Sequence, residues 1–188
     1  MLKALKETFP QIGVHAYTAT ATERVRHDIA RELKLVQPEI LVGSFDRPNL
    51  VYRIARRTDM WEQVQEVIGR HSDDSGIIYC IRRKEVDSLA ASLADAGHSA
   101  LPHHAGLDDL TRQHNQDDFI NDRAKIIVAT VAFGMGIDKS DVRYVIHAGA
   151  PKSLEHYQQE SGRAGRDGLE AECVLLHNGA DFLAWRKL

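Results

Sequence analysis

From Asp59 onward, short apolar runs alternate with segments of helical periodicity, and this alternation restricts the fold more than any other feature of the chain. The spacing predicts a helix capped by Asp59 with Trp61, Val64 and Ile68 on one face, then a buried strand over residues 76–80. A helix carrying Val86, Leu89, Ala90, Leu93 and Ala94 follows, and Gly97 is its stop signal. Next come a strand near residues 99–101, a helix over 110–120, and strands at 125–129 and 142–147. A helix from Ser153, a strand at 172–176 and a terminal helix complete the series. Strands separated by helices argue for an α/β fold, a parallel sheet with helices on both faces. Such sheets bind ligands at the carboxyl ends of their strands. The loops of interest are therefore 81–83, 103–106, 130–139 and the turn after His147.

Upstream the pattern is incomplete. Leu2, Leu5 and Phe9 stand at helical spacing before Pro10, as in the last turns of a helix. Residues 13–17 read as a strand, Thr20 and Glu23 as a capping box, and the helix that follows runs to about Leu35. One strand and one helix cannot cover both faces of a sheet, so residues 1–43 are expected to be the tail of an earlier lobe. Pro48 disfavours helix at Arg47 and places the junction between residues 43 and 50, with a second lobe over 44–188.

The formal charge of −3 gives no generally basic surface, so any nucleic-acid contact must come from a local patch. Cys80 and Cys173 sit in apolar runs and read as buried reduced thiols, and no spacing of Cys or His, the His103–His104 pair included, resembles a zinc cage. Neither a membrane span nor a secretory signal is evident, so the expected setting is the cytoplasm, without membrane contact.

The stretch Gln159-Glu160-Ser161-Gly162-Arg163-Ala164-Gly165-Arg166-Asp167-Gly168 is the richest in chemistry. If the helix begun at Ser153 continues through it, Gln159, Arg163 and Arg166 share one narrow face and Leu154 and Tyr157 the opposite one. Two planar, permanently charged guanidiniums suit phosphate oxygens. The plainer alternative is a solvated helix end whose arginines pair with Glu160, Asp167 or Glu170. In the loop from Thr130 to Asp138, Gly134 and Gly136 let backbone amides approach a phosphate or sugar, and Asp138 can accept from a ribose or orient an arginine. On this segment alone the plainer reading prevails, a tight loop under Phe133 and Met135. Arg82 and Arg83 either contact a nucleic-acid backbone or simply solvate the end of a strand.

Several segments, in this order, resemble the RecQ family of DNA helicases. They are Thr18-Ala19-Thr20-Ala21, Ser44-Phe45-Asp46-Arg47-Pro48-Asn49, Ile77-Ile78-Tyr79-Cys80, His104-Ala105-Gly106-Leu107, the run from Val128 to Lys139, and Gln159 to Gly168. The resemblance implies two RecA-like (P-loop NTPase type) lobes that hold ATP and Mg between them and move 3′ to 5′ along single-stranded or forked DNA. This chain then carries the tail of lobe one and essentially all of lobe two. Arg166 is the implied arginine finger, Arg163 supports it, and Gln159, Gly136 and Asp138 face the nucleotide. Arg83, His104 and Thr130 are implied to face DNA, with Thr18 and Thr20 coupling the two sites.

The chain departs from the family pattern at Arg82, where serine or threonine is usual, and at His103, where tyrosine is usual. Further departures are Ala148 and Gly149 after His147, and Gln158 in place of a second tyrosine. No Gly-x-x-x-x-Gly-Lys-Ser/Thr loop and no Asp-Glu-x-His motif occurs, so ATP and Mg are expected to be held mainly by the partner lobe. The zinc region expected after the terminal helix is likewise missing from the sequence. The expectation is a helicase motor lobe that does not hydrolyse ATP alone, in the cytoplasm or, in a bacterium, with the nucleoid. The rival is a non-catalytic module that binds DNA or a partner.

Overall fold

The computed structural model describes residues 8–9, 11–18, 21–43, 46–130, 133 and 138–186. The chain divides into two compact units, Met1–Asp46 and Arg47–Leu188.

In the first unit the described residues hold one regular helix, α1 (Glu23–Glu32). Its cap is Thr22, whose hydroxyl accepts the Val25 amide at 3.4 Å. The expected cap Thr20 lies outside the described residues, as do residues 1–7, which hold most of the helix expected before Pro10. The helix ends earlier than Leu35, because Leu33 caps it and Lys34 turns left-handed at φ 51°. The strand expected at residues 13–17 is not formed. That stretch has no ladder partner among the described residues, and Tyr17 stands 91% exposed. Apolar alternation marks a segment suited to a strand, but the backbone groups of a strand need a neighbouring strand to bond.

The second unit is built on six parallel strands: β1 (Leu50–Arg56), β2 (Ser75–Tyr79), β3 (Ala100–His103), β4 (Ile126–Ala129), β5 (Val142–His147) and β6 (Ala171–His177). Their order is β1-β6-β5-β2-β4-β3, every pairing parallel. The helices are α2 (Met60–Arg70), α3 (Arg83–Asp95), α4 (Asp109–Ile120), α5 (Leu154–Ser161) and α6 (Asp181–Trp185). Strand side chains alternate between two cores, as a pleated backbone requires. Ile78, Cys80, Val128 and Ile146 pack under α2 and α3 with Val64, Ile68, Val86 and Leu93. Ile77, Tyr79, Ile127 and Val145 face the other way, onto Phe119 of α4, Phe133 and Ala164. Each fully buried aliphatic side chain stabilises by roughly 1.5–3 kcal/mol. Burial also pushes the Cys80 and Cys173 thiols up to about 12, which leaves both protonated and unreactive at neutral pH.

Strand β1 is missing from the sequence-based expectation. It is one edge of the sheet, with Tyr52 48% and Ile54 67% exposed, and Arg53 and Arg56 interrupt its apolar pattern. Neither period-two alternation nor a continuous apolar run marks such a strand. Beyond its end, Arg57 donates to Asp181 Oδ1 at 2.6 Å, while Asp181 Oδ2 accepts from the Ala150 amide at 2.9 Å and the Asn178 amide at 2.8 Å. Arg57 also donates to the Ala148 carbonyl, and Trp185 Nε1 to the Ala150 carbonyl at 2.8 Å. The turn after β5 is thereby tied to both the first strand and the last helix of the unit.

Candidate functional site

Helix α5 begins as its sequence implies, with Ser153 Oγ accepting the His156 amide at 3.4 Å. It ends at Ser161 with Gly162 as cap, so Arg163 and Arg166 lie beyond it and do not share a helical face with Gln159. Of the apolar pair on the opposite face, Tyr157 is half-buried but Leu154 is 77% exposed, so that face is not a continuous packing surface. The inner side of α5 carries the buried Glu160, whose Oε2 meets Nε2 of the equally buried His147 at 2.8 Å. Gly162 itself is still right-handed at φ −63°, its amide donating to the Gln158 carbonyl at 2.9 Å, and a Cβ there would press on that carbonyl at 2.8 Å. Gly165 then turns the chain at φ +56°.

The turn that follows is held from three directions. The Gly165 amide donates to the Val142 carbonyl at the first residue of β5, 2.9 Å, and the Asp167 amide to the Ser140 carbonyl at 3.3 Å. Arg47 Nη2 donates to the carbonyls of Ala164 and Gly165 at 3.0 and 2.7 Å, and Asn49 Nδ2 to those of Gly165 and Leu169 at 2.9 and 2.8 Å. Arg143 pairs with Asp167 and holds that carboxyl below the usual range. Any side chain at residue 165 would place its Cβ 2.5 Å from Asn49 Nδ2, so the clamp and the glycine require each other.

On this turn Arg166 donates from Nη1 to Asp138 Oδ1 at 3.1 Å, with the arginine side chain 34% and the aspartate 92% exposed. Asp138 thus orients an arginine. Arg163 is half-buried beside the Tyr79 phenol, where burial drives the phenol pKa up and the arginine's charge and hydrogen bond oppose it. Tyr79 in turn donates to the Phe133 carbonyl at 3.2 Å. Gln159 is exposed on α5, and Gly136 lies outside the described residues.

Arg83, His104 and Thr130 form a second group, just past the carboxyl ends of β2, β3 and β4, which are neighbours in the sheet. Arg83 is exposed in the first turn of α3, and Thr130 is half-buried, its amide donating to the His103 carbonyl at 3.3 Å. His104 differs from the expectation that it faces DNA. Its ring is buried, with Nε2 on Asp87 Oδ1 at 2.8 Å and Nδ1 accepting the Gly106 amide at 3.0 Å. Of the coupling residues, Thr18 lies in the non-regular stretch of the first unit and Thr20 outside the described residues. Among the described residues no three His, Cys, Asp or Glu side chains group to hold a metal ion, and no helix is long and apolar enough to cross a membrane.

Residues 59–168 match the family described as Helicase conserved C-terminal domain, more than half of the chain. The chain belongs to the helicase C-terminal domain family. Within it the sequence is RecQ-like. It is 46% identical over 98% of its length to the ATP-dependent DNA helicase RecQ of Pasteurella multocida, and 46% identical over 100% to the RecQ-like DNA helicase BLM of Xenopus laevis. It spans only 29% and 14% of those proteins. The second unit also has the fold of a RecA-like lobe: the chain superposes with TM-score 0.68 over 90% of its length on S. cerevisiae Dbp5, covering 46% of that chain at 22% identity.

Sequence reasoning about this helicase domain missed Arg47 and Asn49 as site residues. Both stand in the Asp-Arg-Pro-Asn junction, but a clamp on a turn more than a hundred residues away leaves no periodic trace. His103, where the RecQ pattern has tyrosine, is buried edge-on against Phe133 at 4.6 Å. Burial, helped by the charge of Arg112, pulls its pKa down to about 4. The unfolded chain therefore binds this proton more readily. The resulting stability is fully present above about pH 6.5 and is lost as pH falls toward 4. Thermal melts at pH 7.5 and pH 5 should show a smaller loss of Tm for His103→Phe than for the unaltered helicase domain; equal losses would remove His103 from the acid response.

Proposed function

We propose that this chain is the second motor lobe of a RecQ-like, ATP-dependent 3′–5′ DNA helicase, with residues 1–43 the tail of the first lobe. Arg166 acts as the arginine finger, Arg163 backs it through Tyr79, and Gln159, Gly136 and Asp138 face the nucleotide. ATP and Mg are held mainly by the partner lobe. Arg83 and Thr130 meet the backbone of single-stranded or forked DNA, with His104 beneath them, and Thr18 and Thr20 couple the two sites. The protein works in the cytoplasm or at the nucleoid.

The observation that carries this reading is the construction of the arginine turn. Its backbone is fixed by Arg47, Asn49 and the start of β5, while the Arg166 guanidinium meets the almost fully exposed carboxylate of Asp138. An ion pair this exposed is worth about 0–1 kcal/mol, so a phosphate can replace Asp138 at little cost. A fixed backbone with an exchangeable head is what stabilising charge on a transferred phosphoryl group requires.

The test is ATP hydrolysis by the purified chain, with and without single-stranded DNA. No turnover is expected from the chain alone, and turnover is expected once a lobe carrying a P-loop is supplied. Hydrolysis by the chain alone that disappears in Arg166→Ala would reveal a nucleotide site of its own and overturn the half-site reading.

A further inference from the structure

We infer that Asp87 is a positioning residue for single-stranded DNA, acting through His104 and Gly106; the inference rests on the reading that the Arg83–Thr130 face binds DNA. His104 Nδ1 accepts the Gly106 amide at 3.0 Å and therefore carries no proton. The ring proton sits on Nε2 and is donated to Asp87 Oδ1 at 2.8 Å, which fixes this tautomer. Both nitrogens of the ring are engaged, and it is 4% exposed. The His104 ring thus has no nitrogen left for a phosphate.

What the pair does is shape the loop. The Leu107 amide donates to the His104 carbonyl at 3.2 Å and closes a tight turn around Gly106. A Cβ added to Gly106 would stand 3.0 Å from His104 Nδ1 and 3.2 Å from Arg83 Cδ. The Arg83 stem therefore rests on bare backbone that His104 holds in place. Asp87 lies one helical turn beyond Arg83 on α3, so one helix supplies both the arginine and the anchor for the surface beneath it.

The sign of the effect separates this from ordinary electrostatics. The Asp87 side chain is 54% exposed, and a carboxylate on a face that meets a polyanion is unfavourable by charge alone. Charge alone predicts that removing it tightens DNA binding. Positioning predicts the opposite.

The experiment is fluorescence anisotropy of a labelled oligo-dT with the full chain at fixed salt, comparing the unaltered chain with Asp87→Ala, His104→Ala and the double variant. Asp87→Ala should weaken binding about three- to tenfold, the net loss of one ordinary hydrogen bond, because the Asp87 side chain is half exposed. The double variant should bind no more weakly than His104→Ala. Hydrogen exchange at the Gly106 amide should quicken in Asp87→Ala while protection of the β2 and β4 amides stays unchanged, which distinguishes loop release from unfolding. Binding by Asp87→Ala that equals or exceeds that of the unaltered chain, or additive losses in the double variant, would overturn the inference while leaving the DNA-binding face intact. Failure of the unaltered chain itself to bind oligo-dT would remove the face, and the inference with it.

Discussion

Asp181→Ala is expected to lower the stability of the second unit by about 3–5 kcal/mol, the typical result of removing one partner of a buried ion pair. The Asp181 side chain is 3% exposed and the Arg57 side chain 22%, so alanine leaves a largely desolvated guanidinium facing a void. It also strips the Ala150 and Asn178 amides of their acceptor. Asparagine should recover part of the loss, because its carbonyl can still accept from an amide, but it cannot neutralise Arg57. Urea titrations would report the difference as a lower midpoint at unchanged m-value. A cost below about 1 kcal/mol would mean that water replaces the carboxylate and that the pair is not a structural tie.

Arg166→Ala is expected to lower ATP hydrolysis by about 10³- to 10⁵-fold when the chain acts with a lobe carrying a P-loop, with oligo-dT binding unchanged. Arg166→Lys should recover little, since an ammonium offers a point charge where a planar fork is needed. Asp138→Ala should do far less harm, because the Arg166–Asp138 pair is exposed and the backbone of the turn is held by Arg47 and Asn49. Single-turnover hydrolysis measured beside DNA anisotropy separates the two functions. Parallel loss of DNA binding would place Arg166 in the overall fold of the lobe and not in phosphoryl transfer.

The sheet was legible in the sequence because its central strands β2, β4 and β5 are largely buried on both faces and appear as mostly apolar runs between amphipathic helices. Strand β1 was not, since an edge strand with exposed Tyr52 and Ile54 carries no such signal. The arginine segment stood out by residue type alone, but its geometry did not follow from it. Helical periodicity was carried past Gly162, although the helix stops there and the chain turns left-handed at Gly165, leaving Arg163 beside Tyr79 and Arg166 on Asp138. His104 shows the opposite limit. The family resemblance turns this residue toward DNA, and only the Asp87 carboxylate, seventeen residues away, reveals that the ring is turned inward.

The clamp on the arginine turn also sets when that turn can exist. Arg47 reaches across 118 residues to Gly165, and β1 pairs only with β6, the last strand to be made. Contacts so distant along the chain incur the greatest loop-closure entropy and form late. A nascent chain can assemble β2 to β5 as each emerges, while its first strand waits for its last. The turn that carries Arg166 is therefore fixed only once β6 has emerged to pair with β1 and β5.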